Sequence, residues 1–173
     1  MVVDEVARRY GVSHWRNKDS AEQAYDAARR IVFVKPTSFM NLSGTPVRLI
    51  SSWYRTPPEL VLVVVDEMDL PFGKLRMRPF GGHGGHNGLR SIIATLGDRF
   101  PRLRIGVGRP QYDGVDHVLS PFTSDELREV PVLIAAAADS VEVWLNDGLD
   151  AAMRFANTWP FDCAQDDNAT DSS

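Results

Sequence analysis

The chain is predicted to be α/β: a single three-layer domain, with a mixed, mostly parallel sheet and helices on both faces. Three observations carry this. Leu60-Val61-Leu62-Val63-Val64-Val65 is continuously apolar and rich in β-branched residues, the pattern of a strand covered on both faces. Helical and strand patterns follow one another along the chain instead of segregating. The 173 residues are 43% hydrophobic and 24% charged, which suits one domain with a sizeable core.

Taken in order, Met1 to Tyr10 reads as a helix with Val2, Val3, Val6 and Ala7 apolar and Gly11 at its C-terminal end. It has no strand leading into it, which is unusual for an α/β helix. Ser13 to Lys18 is polar and irregular. Ser20 to Arg30 leaves helix and strand both open, because its alanines favour a helix but it is short and runs into Ile31-Val32-Phe33-Val34. That apolar run is a strand, closed by Lys35-Pro36. Thr37 to Gly44 is a turn-rich junction into a helix over Thr45 to Tyr54, with Pro46 tolerated in the first turn. Thr56-Pro57-Pro58 is a linker turn before the apolar strand, which ends in Asp66-Glu67-Met68-Asp69-Leu70-Pro71.

Lys74 to Arg78 alternates basic and apolar residues, as an exposed strand does. Gly81-Gly82-His83-Gly84-Gly85-His86-Asn87-Gly88 concentrates glycine where something must approach the backbone. It feeds an amphipathic helix with Leu89, Ile92, Ile93 and Leu96 on one stripe, and Asn87 is the expected N-cap. Leu103 to Gly108 is a strand and Tyr112 to Ser120 a loop. Thr123-Ser124-Asp125-Glu126 has the form of a capping box, opening a helix that runs past Pro131 to about Leu145. A last helix covers Asp150 to Thr158. The domain is expected to span residues 1–160, followed by an acidic, disordered tail at 161–173.

Composition narrows the function. One cysteine, Cys163, excludes an intramolecular disulfide framework and suits a reducing cytoplasm. No apolar run is long enough to span a membrane. Met1-Val2-Val3 runs at once into Asp4 and Glu5, which does not read as a cleavable signal peptide. The net charge is −4, yet Lys74, Arg76, Arg78, Arg90, Arg99, Arg102, Arg104 and Arg109 face one acid, Asp98, over that stretch. A local basic face on an acidic protein can hold phosphates, although most such faces are only solvated surface.

Asp66 ends the buried strand, where α/β proteins place functional groups, and a carboxylate there can orient a histidine and stabilise its imidazolium. Asp69 is better suited to capping a turn. His83, His86 and Asp66 have a spacing that could suit a metal, but no further ligand is evident, so no metal or cofactor is expected. The plainer reading is one structural histidine and one lining a pocket. Asn41 and Asn87 can each hold a peptide group or position a water, besides capping a helix. Neither the Walker nor the dinucleotide glycine spacing is present.

Three motifs in this order, Lys35-Pro36-Thr37-Ser38-Phe39-Met40-Asn41-Leu42-Ser43-Gly44, Asp66-Glu67-Met68-Asp69-Leu70-Pro71 and Gly81-Gly82-His83-Gly84-Gly85-His86-Asn87-Gly88-Leu89, resemble the bacterial peptidyl-tRNA hydrolase family. Arg102 to Gly108 looks like that family's next strand, and Trp144-Leu145-Asn146-Asp147-Gly148-Leu149 like the junction before its last helix. The resemblance implies a monomeric, cytoplasmic, metal-free enzyme with no membrane association. It would cleave the ester between a peptide and the 3′ ribose of tRNA. By the same resemblance, Asn41 and Asn87 are catalytic and substrate-binding, Asp66 orients the catalytic histidine, and Met40 and His86 line the peptide site. Arg78, Arg90 and Arg104 would hold tRNA phosphates without reading sequence. The family opens with a strand, an Asn-Pro-Gly loop and an Arg-His-Asn segment that carries the general base. Met1-Val2-Val3-Asp4-Glu5 matches the helix after these, so the first strand and the base are expected to be absent and the activity of these 173 residues impaired. A non-catalytic RNA-binding or splicing-factor-like protein of the same fold is the alternative.

Overall fold

The computed structural model describes residues 1–108 and 124–159. The loop expected at Tyr112 to Ser120, Thr123 of the capping box, Cys163 and the acidic tail lie outside them. The elements are α1 (Val2–Arg9), β1 (Arg16–Lys18), β2 (Ala21–Asp26), β3 (Ile31–Pro36), a 3₁₀ turn (Met40–Leu42), α2 (Gly44–Trp53), β4 (Val63–Glu67), β5 (Leu75–Arg78), α3 (Asn87–Leu96), β6 (Arg102–Gly106), α4 (Ser124–Asp147) and α5 (Leu149–Asn157).

The strands form two three-stranded sheets, ordered β1-β2-β3 and β4-β6-β5. The first is antiparallel throughout. In the second, β4 runs parallel to β6 while β5 is antiparallel to it. The mixed sheet is therefore present, but parallel pairing, expected to dominate, is confined to β4 with β6. Connection length accounts for the first sheet, where β2 and β3 are joined by a turn too short for a parallel crossover, while β4 reaches its parallel partner β6 only after β5 and α3. Among the described residues β4 pairs only with β6.

Side chains alternate across β4. Val64 packs into a core built from Val2, Val6 and Ala7 of α1, Phe33, Leu75, Met77, Leu103, and the alanine-rich faces of α4 and α5. Val63 and Val65 point the other way, to Leu89 and Ile92 of α3, Phe100, and Val47 of α2. Helices thus cover both faces, as the continuous apolar run predicts. Each fully buried large side chain in these cores contributes roughly 1.5–3 kcal/mol of transfer free energy. Arg9 ties α1 to α4 through Asp139 at 2.6 Å and Glu142 at 2.7 Å.

Two local segments are settled by the tertiary structure. The ambiguous Ser20 to Arg30 segment is strand β2 and a turn, because Asp26 is buried and its Oδ1 accepts from the backbone N–H groups of Ala28 and Arg29 at 3.0 and 3.1 Å. That side-chain turn closes the β2–β3 hairpin and outweighs the helical preference of the alanines. The apolar run is only half strand: Pro58–Leu60 forms a 3₁₀ turn and β4 begins at Val63.

α2 and α3 cross in close contact at Gly44, whose N–H donates to Ser91 Oγ at 2.9 Å. A Cβ at Gly44 would lie 2.2 Å from the Ser91 carbonyl oxygen. Gly44→Ala must therefore push the helices apart, and its expected cost is about 1–3 kcal/mol. A urea titration would show this as a lowered midpoint, and an unchanged midpoint would contradict the close approach.

Candidate active site

The site is assembled where the C-terminal end of β4 meets the N-terminal end of α3. Asp66 lies near the end of β4, with its side chain 61% exposed. Its Oδ1 is 3.5 Å from Nε2 of His86, whose side chain is only 17% exposed. That separation is long for a hydrogen bond and makes the contact chiefly electrostatic. His86, not the expected Asn87, is the N-cap of α3. Its Nδ1 accepts from the backbone N–H groups of Gly88 and Leu89 at 3.1 and 3.2 Å. An imidazole nitrogen that accepts two N–H groups carries no proton, so in neutral His86 the proton is on Nε2, the atom that faces Asp66. The ring wins the cap because it sits one residue before the helix, where extended backbone lets Nδ1 reach the first free N–H groups.

Asn87 is consequently the first residue of α3. Its amide is exposed at the positive end of the helix dipole and makes no hydrogen bond among the described residues. The 3₁₀ turn carrying Met40 and Asn41 packs against α3. The contact is closest at Gly88, where a Cβ would fall 2.7 Å from Met40 Sδ and 2.9 Å from His86 Cε1. The absence of a side chain at Gly88 is what lets Met40 rest beside His86. Ser43 Oγ donates to the Met40 carbonyl at 2.8 Å and steadies the turn. Asn41 follows Met40 and, like Asn87, is exposed, with a side chain that makes no hydrogen bond among the described residues. Phe39, Met40, Met68 and Phe80 are exposed apolar side chains nearby in sequence to these groups.

The arrangement therefore brings Met40 beside His86 and His86 beside Asp66, with exposed Asn41 next to Met40 and exposed Asn87 next to His86 in the chain. His83 is not part of the Asp66 contact: its Nδ1 accepts from the N–H of Gly85 at 3.0 Å, within its own loop. The expected basic residues divide. Arg78 and Arg90 are exposed and form no ion pair among the described residues. Arg104 is committed, donating to Glu67 Oε2 at 2.8 Å and to the Gly82 carbonyl at 3.0 Å. Sequence reasoning missed Arg102, which counted as one more surface cation and is fully buried. The only signal for it was the run of glycines, whose carbonyls need donors.

The His86 imidazole beside Asp66 holds its carboxyl below the usual carboxylate range, against the opposing effect of burial. A carboxylate depressed on folding contributes stability above its unfolded value of about 3.9, and the contribution is lost as pH falls through the folded value. The Asp66–His86 contact should thus persist through mild acid and fail only below that range on the carboxylate side. A ¹³C-carboxyl NMR titration should place Asp66 below an ordinary aspartate, and His86→Ala should move it upward. An unmoved midpoint in the variant would refute the assignment.

The sequence profile of the family described as Peptidyl-tRNA hydrolase matches residues 1–164. The chain is 49% identical over 158 residues to a peptidyl-tRNA hydrolase of Frankia casuarinae, covering 88% of this chain and 80% of that protein. It is 45% identical over 161 residues to one from Chloroflexus aggregans, covering 90% and 86%. The fold is similar to the crystal structure of peptidyl-tRNA hydrolase from Acinetobacter baumannii, with a TM-score of 0.80, 32% identity, and coverage of 90% of this chain and 82% of that one.

Proposed function

The chain belongs to the peptidyl-tRNA hydrolase family, and we propose that its site hydrolyses the ester joining a peptide to the 3′ ribose of tRNA. The observation that carries this reading is that the turn bearing Asn41 packs on α3, whose first residue is Asn87 and whose cap, His86, faces Asp66. A peptide backbone needs both donors and acceptors, which carboxamides supply. The ester carbonyl gains negative charge as water attacks, and the helix N-terminus with the Asn87 amide offers stabilisation there. Asn41 would hold the peptide and help place the water. Met40 and His86 would line the peptide side.

Arg78 and Arg90, exposed on β5 and α3, are assigned to the tRNA phosphates. Arg104, already bound to Glu67 and Gly82, is assigned chiefly to supporting the loop. Asp66 is suited to orienting an imidazole that draws the proton from water. His86 is a poor candidate for that base, because its Nδ1 lone pair is used in capping α3 and its Nε2 faces Asp66. These 173 residues, assayed as such, are therefore assigned weak turnover. The proposed place of action is the cytoplasm, where tRNA is used, and the proposed acting form is the monomer; among the described residues no helix is long and apolar enough to cross a membrane.

The test is incubation of the polypeptide with N-acetylated aminoacyl-tRNA, resolving charged from free tRNA over time. Slow ester cleavage that is lost in Asn87→Ala supports the reading. Tight tRNA binding with no cleavage at any enzyme concentration would favour the RNA-binding alternative, which the family's named members do not.

A further inference from the structure

Arg102 opens β6 and is fully buried, although its register partner on β5, Arg78, is exposed. Cross-strand partners lie on the same face of a sheet, so something must cover Arg102 alone. The cover is the glycine loop on one side and the turn after α3 on the other. Its Nη1 donates to the carbonyls of Gly81 and Gly82, the latter at 3.2 Å. Its Nη2 donates to the carbonyls of Asp98 at 2.9 Å and Phe100 at 3.2 Å. The guanidinium also lies 4.2 Å from the centre of the Phe100 ring. Among the described residues it makes no ion pair, and its Nε has no hydrogen-bond partner. A buried cation with no carboxylate is costly unless its protons are taken up elsewhere, and here backbone carbonyls take them.

Those carbonyls lie on either side of one helix. Gly81 and Gly82 precede α3, and Asp98 and Phe100 follow it. Asp66 is referred to the same strand from the other direction, because β4 pairs with β6 with Val63 opposite Arg102 and Asp66 opposite Ile105. β6 is thus the shared frame of both halves of the site, and the guanidinium fork is the link to the half that carries His86 and Asn87.

We propose that Arg102 is a positioning residue for the reaction: by holding the loop before α3 and the turn after it, its guanidinium sets where His86 and Asn87 stand against Asp66. The proposal rests on the reading of those three residues as the site. Arginine suits the task because its two terminal nitrogens reach two segments at once, which the single ammonium of lysine cannot do. Arg104 reinforces the clamp at Gly82 from two residues further along the strand.

The test compares Arg102→Met, Arg102→Lys and Arg104→Gln with Phe33→Leu, a core substitution in the other sheet that touches none of these groups. Hydrogen–deuterium exchange of residues 81–86 reports the clamp directly. Single-turnover hydrolysis of peptidyl-tRNA, with the protein in excess, reports its consequence. Arg102→Met is expected to speed exchange in this loop about tenfold or more, since the opening becomes local. It should also lower the rate of the chemical step about 10²-fold, with substrate affinity changed much less. Arg102→Lys should fall between Arg102→Met and the parent, and Phe33→Leu should lower the melting temperature without moving either readout. If Arg102→Met does not fold, Arg102→Lys and Arg104→Gln carry the comparison. Loop exchange equal to the parent in the folded variants would overturn the clamp. Faster exchange with an unchanged chemical step would overturn its role in the reaction. A parent with no hydrolysis at all would count against the functional reading, and the exchange comparison would still decide the clamp.

Discussion

Hydrolysis of peptidyl-tRNA by the 173-residue polypeptide is expected to run roughly 10²–10⁴-fold slower than by the Acinetobacter baumannii relative assayed beside it, the range that a positioned general base supplies. Among the described residues no group is placed to act as the base, and His117 lies outside them. Water attacking the ester must lose a proton to a group near the ester whose affinity for protons is matched to neutral pH. Asp66 is in place, but its carboxyl is held below the usual range, which makes it a weak proton acceptor. His86 is in place, but its free lone pair is occupied by the Gly88 and Leu89 N–H groups. Protonating Nδ1 would turn an acceptor of two bonds into a donor facing two donors, and α3 would lose its cap. His83 is turned into its own loop. His14 lies between α1 and β1, on the segment leading into the first sheet. The measurement is the rate of free tRNA release at matched protein concentrations. Adding imidazole to the buffer should raise the rate of the slow polypeptide if a base is what it lacks. Turnover equal to that of the relative would overturn the account.

Asn87→Ala is expected to lower the rate of the chemical step by about 10²–10³, the loss found when one donor to a developing oxyanion is removed. Its amide is exposed and without a hydrogen bond among the described residues, so the fold has no use for it that the substitution removes. The cap belongs to His86. Stability should therefore stay within about 0.5 kcal/mol of the parent, as for surface positions in general. Asn87→Asp should be at least as damaging, because it keeps the shape and places a negative charge where negative charge develops. The kinetic measurement is a single-turnover rate paired with a thermal melt on the same sample. A large fall in rate with an unchanged melt is the expected pair. A rate unchanged in Asn87→Ala would remove the residue from the mechanism.

The site is partly legible in the sequence. Asn41, Asp66 and Asn87 announce themselves because each stands at a strand end or a turn, where side chains have room to face a ligand. That the turn bearing Asn41 packs on the helix bearing Asn87 is not legible from pattern alone. It depends on Gly44 and Gly88, which let the 3₁₀ turn and α2 close onto α3. The cap falls on His86 for a related reason. Asparagine is the better N-cap by local preference, but a histidine one residue earlier, held in the contact of Met40 with Gly88 and near Asp66, reaches the same N–H groups.

The fold divides along the same line. Periodicity and β-branching alone determined that the chain is α/β, that Val63 to Val65 lie between two apolar layers, and that α1, α2, α3 and α5 exist close to their observed bounds. These features depend on the order of apolar and polar residues within a few turns, which the chain carries locally. Only the tertiary structure decided that β2 is a strand, that Arg104 answers Glu67, and that Arg102 is buried beneath a loop of glycines. Each of these depends on a partner distant in sequence or on a covering segment. A charged side chain looks the same in sequence whether water or four carbonyl oxygens surround it, and only the packed chain settles which of them takes its protons.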